Sequence, residues 1–160
     1  MKRLLAFALS FGLLGASMAC AQDLSSPPRY TEYRADAIIG RGTALEGGVG
    51  LVVPFGGYVR MGLDVAAGES WRAGTAHLSS RVDAIGRFLL DPYREIPLAV
   101  SLGGGVSVPY ADGERVRPYL ALVVDIEGRM HDGLTPAVQI GLGGGARIGV
   151  VLRTSTVRWR

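Results

Sequence analysis

From Tyr30 onward the chain repeats one pattern: apolar side chains at alternate positions, with charged, polar or small ones between them. A period of two belongs to strands with two unlike faces. The clearest stretch runs from Arg115 to Arg129. One face reads Val116, Pro118, Leu120, Leu122, Val124 and Ile126; the other reads Arg115, Arg117, Tyr119, Ala121, Val123, Asp125, Glu127 and Arg129. A helix would scatter those charges around its whole circumference, so the stretch is a strand.

The same alternation recurs along the chain. Val59, Met61, Leu63 and Val65 alternate with Arg60, Gly62 and Asp64. Leu78, Val82, Ala84 and Phe88 face away from His77, Arg81, Asp83, Arg87 and Asp91. Leu45, Val49, Leu51, Val53 and Phe55 alternate with Glu46, Gly48 and Gly50, and Ile96, Leu98, Val100, Leu102, Val106, Val108 and Tyr110 with Ser101, Gly103, Gly105 and Ser107. Leu134, Val138, Ile140 and Leu142 oppose Thr135, Ala137, Gln139 and Gly141. Two weaker segments bracket the series: Glu32, Arg34 and Asp36 against Tyr33, Ala35 and Ala37, and a last one opened by Ile148, Val150 and Leu152 that ends at Trp159.

Turn-like breaks separate these segments at Gly40–Gly42, Gly56–Gly57, Gly68–Thr75, Asp91–Glu95, Ala111–Glu114, Arg129–Gly133 and Gly143–Ala146. They are too short for parallel crossovers. The expected fold is therefore all-β: a single up-and-down antiparallel β-barrel of about eight strands, since closure removes both sheet edges.

The first residues read as an export signal. Lys2 and Arg3 precede the apolar run Leu4–Leu14, and Ala19-Cys20-Ala21 fits a small-residue cleavage site before Gln22. The expected division is a signal peptide at 1–21 and a barrel domain at 22–160. The alternative is a lipoprotein acylated on Cys20, the sole cysteine.

Alternation alone leaves two designs open: apolar face outward into lipid, or inward as the core of a soluble periplasmic barrel that binds an apolar ligand. Three features favour lipid. Segments are about as long as tilted membrane strands, nine to eleven residues. Apolar-face aromatics sit near strand ends, with Tyr33, Phe55, Phe88 and Trp159 toward one rim and Tyr110 toward the other, as in membrane girdles. The polar face balances its charges, with Glu32, Asp36, Glu46, Asp64, Asp83, Asp91, Asp125 and Glu127 against Arg34, Arg60, Arg81, Arg87, Arg115, Arg117, Arg147 and Arg153. Charges inside so narrow a barrel must pair. Small groups on the segment around Ser101–Ser107 leave room for the long arginines and Tyr119.

Signal, meander and aromatic rims together make the chain similar to the small outer-membrane barrels of the outer-membrane protein X and OmpA transmembrane-domain type. The resemblance covers the mature chain and is architectural. It implies an integral protein of the cell outer membrane, with lipid and the barrel-insertion machinery as partners. That family usually ends in an aromatic residue, whereas here Trp159 is penultimate and Arg160 last.

Chemistry is sparse. His77 and Ser79 share a strand face, a grouping similar to that of outer-membrane lipid A deacylases, but Asp91 lies about 40 Å further along at ~3.3 Å per residue. His131-Asp132 stands alone in a turn and makes no metal site. Gly103-Gly104-Gly105 and Gly143-Gly144-Gly145 lack the Lys-Ser/Thr and helix of a phosphate loop, and read as bends or close packing. Trp71 and Arg72 fall in the longest break, read as an outer loop folding back onto the rim or meeting a partner. The net charge of +3 is spread without basic runs, which excludes nucleic acid as an expected partner. No catalytic, cofactor or metal residues are expected. The reading is thus a non-enzymatic barrel of structural or adhesive role, with a packed, charge-paired interior. A lipid A acyl hydrolase or a small-solute channel are lesser alternatives, and the sequence names no extracellular partner.

Overall fold

A computed structural model describes residues 29–91, 98–111 and 115–155. The expected signal peptide, Cys20, Ile96, Trp159 and Arg160 lie outside them. Eight strands follow in order: β1 (Tyr30–Ile39), β2 (Thr43–Phe55), β3 (Val59–Arg72), β4 (Thr75–Leu89), β5 (Ala99–Ala111), β6 (Tyr119–Glu127), β7 (Leu134–Leu142) and β8 (Ala146–Ser155). Each pairs antiparallel with its neighbours, and β8 closes onto β1 to complete a barrel.

Followed once around the sheet, the registers bring β1 back onto itself ten residues out of step. With ~3.3 Å per residue and ~4.8 Å between strands, that stagger tilts the strands by about 40°. The nine residues of β6 or β7 then rise roughly 23 Å along the axis, close to the apolar band of a membrane barrel.

Four strands exceed the nine to eleven residues expected of a tilted membrane strand: β2 and β5 have 13 residues, β3 has 14 and β4 has 15. The main correction concerns Gly68–Thr75. It is not a loop: β3 and β4 stay paired through Glu69↔Leu78 and Trp71↔Ala76 to Arg72↔Thr75. The turn itself is only Ala73-Gly74, at φ +47° and +82°. Two positive φ values make the primed turn that matches strand twist. Gly74 adopts it freely, whereas Ala73 carries a Cβ in the left-handed region. Ala73→Gly is therefore expected to stabilise the protein by ~0.5–1 kcal/mol, and Gly74→Ala to destabilise it, both read from urea midpoints.

The polar segment at Arg115–Pro118 is a second correction. The strand starts at Tyr119, and Arg115 and Arg117 are exposed outside the barrel lumen. Pro118 has no N–H to donate to the ladder, so pairing with β5 begins one residue later, at Ser107↔Tyr119. Asp91, read as a lumen acid, lies beyond the end of β4.

The two faces are inverted relative to a soluble protein. Leu51, Leu63, Val82, Leu102, Leu122, Ile140 and Val150 project outward and are each about half exposed. Acids, arginines and small residues fill the inside. An apolar-cored barrel holding an apolar ligand is thus not what this chain folds into. Contiguous apolar surface around the whole wall would drive association in water. Aromatics face outward near the ends: Phe55, Phe88 and Tyr33 toward the end bearing the chain termini, Tyr110 and Trp71 toward the other. Tyr58 stacks on Phe88 at 5.8 Å between ring centroids.

Candidate functional site

The charged lumen is the one constellation of chemistry-bearing groups in the described residues. Inward positions on seven strands supply it, because the two-residue period sends every second side chain to the axis. β1 contributes Glu32, Arg34 and Asp36; β2 contributes Glu46; β3 contributes Arg60 and Asp64; β4 contributes Arg81, Asp83 and Arg87. β6 adds Asp125 and Glu127, β7 adds Gln139, and β8 adds Arg147 and Arg153. All are buried except Arg60, which is partly exposed at the barrel end.

At the end bearing the termini, Arg153 sits among three acids. Its Nε donates to Glu32 Oε2 at 2.9 Å, Nη1 to Glu127 Oε1 at 2.5 Å and Nη2 to Asp125 Oδ2 at 3.3 Å. Arg60 reaches the same Glu127 oxygen at 2.7 Å, with its guanidinium 5.3 Å from the Tyr30 ring centroid. Arg87 Nε lies 2.8 Å from Asp125 Oδ2.

The middle is a diamond of two carboxylates and two guanidiniums. Arg34 Nη1 lies 3.0 Å from Asp64 Oδ2 and 3.5 Å from Glu32 Oε1. Arg87 Nη2 lies 3.6 Å and 3.3 Å from the same two oxygens. Arg34 also donates through Nε to Asp36 at 2.8 Å and through Nη2 to Gln139. Gln139 passes the link on, donating to Asp125 at 2.6 Å. Toward the other end, Arg81 meets Asp36, Asp83 and Glu46, and Arg147 meets Asp83 from across the barrel.

Glycine makes room for this lattice at the wall. A Cβ on Gly50 would stand 1.9 Å from Asp64 Oδ1, and one on Gly149 would stand 2.0 Å from Asp36 Oδ1. Small apolar groups fill the gaps, with Ile85, Ala121 and Val123 packed together inside.

Among the described residues the lumen thus holds seven carboxylates and six guanidiniums. Taking any of these charges out of water alone costs several kcal/mol, so each depends on oppositely charged neighbours. Arginine suits the task because its planar fork serves two or three acids at once.

Of the charges expected inside, the structure brings together all except Asp91, Arg115 and Arg117. Gln139 is the member that charge counting missed. Its signal was a lone long amide on an otherwise Thr, Ala and Gly face. His77 and Ser79 do share the inner face near the far rim, with Ser79 buried. Asp91 follows the opposite end of the same strand, so the three are not assembled. Trp71 is on the outer wall of β3, not in a loop.

Comparison with known proteins places the fold. No family model matches the chain, and no curated protein matches it in sequence. Solved structures do match. The N-terminal β-barrel domain of Pseudomonas aeruginosa OprF aligns with a TM-score of 0.56 at 9% identity, covering 79% of this chain and 96% of that one. Neisserial surface protein A gives 0.51 at 11% identity, over 79% and 95%. A de novo designed transmembrane β-barrel gives 0.54 at 12% identity, over 84% and 100%. The chain has the fold of the small eight-stranded outer-membrane barrels.

Proposed function

We propose that this protein is an integral outer-membrane barrel whose interior is a closed ion-pair lattice, with a structural or adhesive role and no catalytic one. The observation that carries the reading is the inversion of faces: leucine, valine and isoleucine around the outside, paired charges on the axis. Water on both sides would expose the apolar wall, and lipid on both sides would strand the charges. A lipid exterior with a packed polar lumen suits both. The fold neighbours support an outer-membrane location, and the N-terminal sequence supports export to it.

Two measurements test the proposal. On fractionation the protein is expected in the outer membrane, released only by detergent, and its gel band is expected to shift on boiling. A soluble band without a shift overturns the membrane reading. In planar bilayers the intact barrel is expected to show no steady conductance. Asp64→Ala combined with Arg87→Ala, which removes half of the central diamond, is expected to produce open events. Large steady currents from the unmodified protein would favour a channel instead.

A further inference from the structure

The two ends of the lumen are not tied equally. Arg34, Arg87 and Arg153 each meet three acids, whereas among the described residues Arg147 meets one, Asp83. Arg147 is almost wholly buried, yet its Nε and Nη2 find no acceptor in the protein. Buried donors left so forfeit the hydrogen bonds they would make in water. The wall beside Arg147 is also not continuous ladder. β6 pairs with β5 from Tyr119, but with β7 only from Leu122. Over the missing rungs lies the β7–β8 turn, Gly143-Gly144-Gly145, where the Gly143 N–H donates to the Gly145 carbonyl at 3.1 Å. The turn leans into the lumen. A Cβ on Gly143 would stand 3.1 Å from Ser107 Cβ and 3.6 Å from Ala121 Cβ, and one on Gly144 would stand 3.2 Å from the Tyr119 ring. Ser107 in turn is the β5 partner of Asp83, so turn, serine and the Arg147–Asp83 contact adjoin one another. Three glycines bring no side chain of their own to anchor the turn.

We infer that the β7–β8 glycine turn is a lid: it lifts off Ser107 and Tyr119 and lets water reach Arg147 and Asp83 from that end of the barrel. The central diamond and the end bearing the termini stay shut, because their guanidiniums are each held by several acids. The lumen is then a blind vestibule, and no path opens through it. Lifting gives up the packing of three glycines and returns hydrogen bonds to the stranded donors of Arg147. Local opening of this kind draws on the least tied part of a structure.

Two serines on the inner face of β5 make the test. Ser107 and Ser101 are equally buried, at 0% and 2% exposure, one under the lid and one toward the opposite end. A static lumen protects both alike. Ser107→Cys and Ser101→Cys are prepared separately in the mature barrel, folded in detergent and treated with a methanethiosulfonate bearing a trimethylammonium group. Ser107→Cys is expected to react at least about tenfold faster, since Ser101→Cys is reached only by wider unfolding. Gly143→Val props the turn off Ser107 and is expected to raise the Ser107→Cys rate by about another tenfold, with Ser101→Cys unmoved. Tyr119→Ala removes the ring beneath Gly144 and is expected to act in the same direction, which keeps the test open should Gly143→Val not fold. Strand content by circular dichroism checks each variant. A Ser107→Cys rate no faster than that of Ser101→Cys overturns the inference. So does a Ser107→Cys rate that is fast but indifferent to both lid variants, because the opening would then lie elsewhere.

Discussion

Arg34→Met is expected to cost about 3–5 kcal/mol of stability, the largest loss from any single lumen substitution. Methionine keeps much of the volume and removes the charge. What remains is Glu32, Asp36 and Asp64, three buried carboxylates that Arg34 now bridges, with Gln139 left short of a donor. A lost partner costs more than the net worth of the pair, because the orphaned charge stays desolvated. Urea titration of the refolded barrel, followed by the gel shift or tryptophan fluorescence, gives the number. Adding Asp64→Leu to Arg34→Met is expected to recover at least about 1 kcal/mol, since Asp64 keeps only the longer contact to Arg87 once Arg34 is gone, and removing it lowers the excess of buried negative charge. Recovery of nothing would mean that Arg87 alone suffices to hold Asp64.

The glycine triplet of β5 gives a second large effect with its control built in. A Cβ on Gly105 would stand 1.9 Å from the Ala84 carbonyl oxygen and 2.8 Å from Ile85 Cα, both backbone atoms of the paired strand. Neither can swing aside without parting β4 from β5. Gly105→Ala is therefore expected to lose at least ~1–3 kcal/mol, as overpacking does. Gly104 is next in line but faces outward, and its Cβ would meet nothing closer than 3.8 Å. Gly104→Ala is expected to stay within about 0.5 kcal/mol of the original. Equal effects at the two positions would contradict the register Ala84↔Val106 and Gly86↔Gly104 on which the argument stands.

These two sites also show what could be read before any coordinates. Arg34 between Glu32 and Asp36 was legible, because alternation alone puts all three on one face. That face could be assigned to the lumen from charge balance and aromatic placement. Which acid meets which arginine was not legible, since Arg153–Glu32 depends on β8 closing onto β1 in one register and cross-barrel pairs such as Arg147–Asp83 and Arg81–Asp36 depend on the stagger of the whole sheet. Gly103-Gly104-Gly105 was legible as a place of bending or close packing, but not which of the three is indispensable. That depends on which neighbour's carbonyl lies beneath each Cα.

The misread hairpin has a local cause. Gly68, Ser70, Ala73 and Gly74 look like turn residues in sequence, and Glu69 interrupts the apolar face. In the structure Gly68 sits against the Leu45 carbonyl, where a Cβ would come within 1.9 Å, so this glycine serves strand packing rather than a turn. Glu69 and Trp71 on the outer wall fit a position at the rim, where a carboxylate and an indole both reach the head-group layer. Arg115 and Arg117 failed in the opposite sense: the alternation continues through them, but Pro118 ends the ladder first.

The outward orientation of the apolar face is the claim on which the rest depends, and quenching of single tryptophans tests it most directly. In a background with Trp71 and Trp159 replaced by phenylalanine, Leu122→Trp and Ile140→Trp each place one indole on the outer wall of the barrel. Refolded into vesicles with brominated acyl chains, both indoles are expected to be strongly quenched by the lipid and barely touched by aqueous acrylamide. Ready quenching by acrylamide with no effect of the brominated chains would place that wall in water and contradict the account.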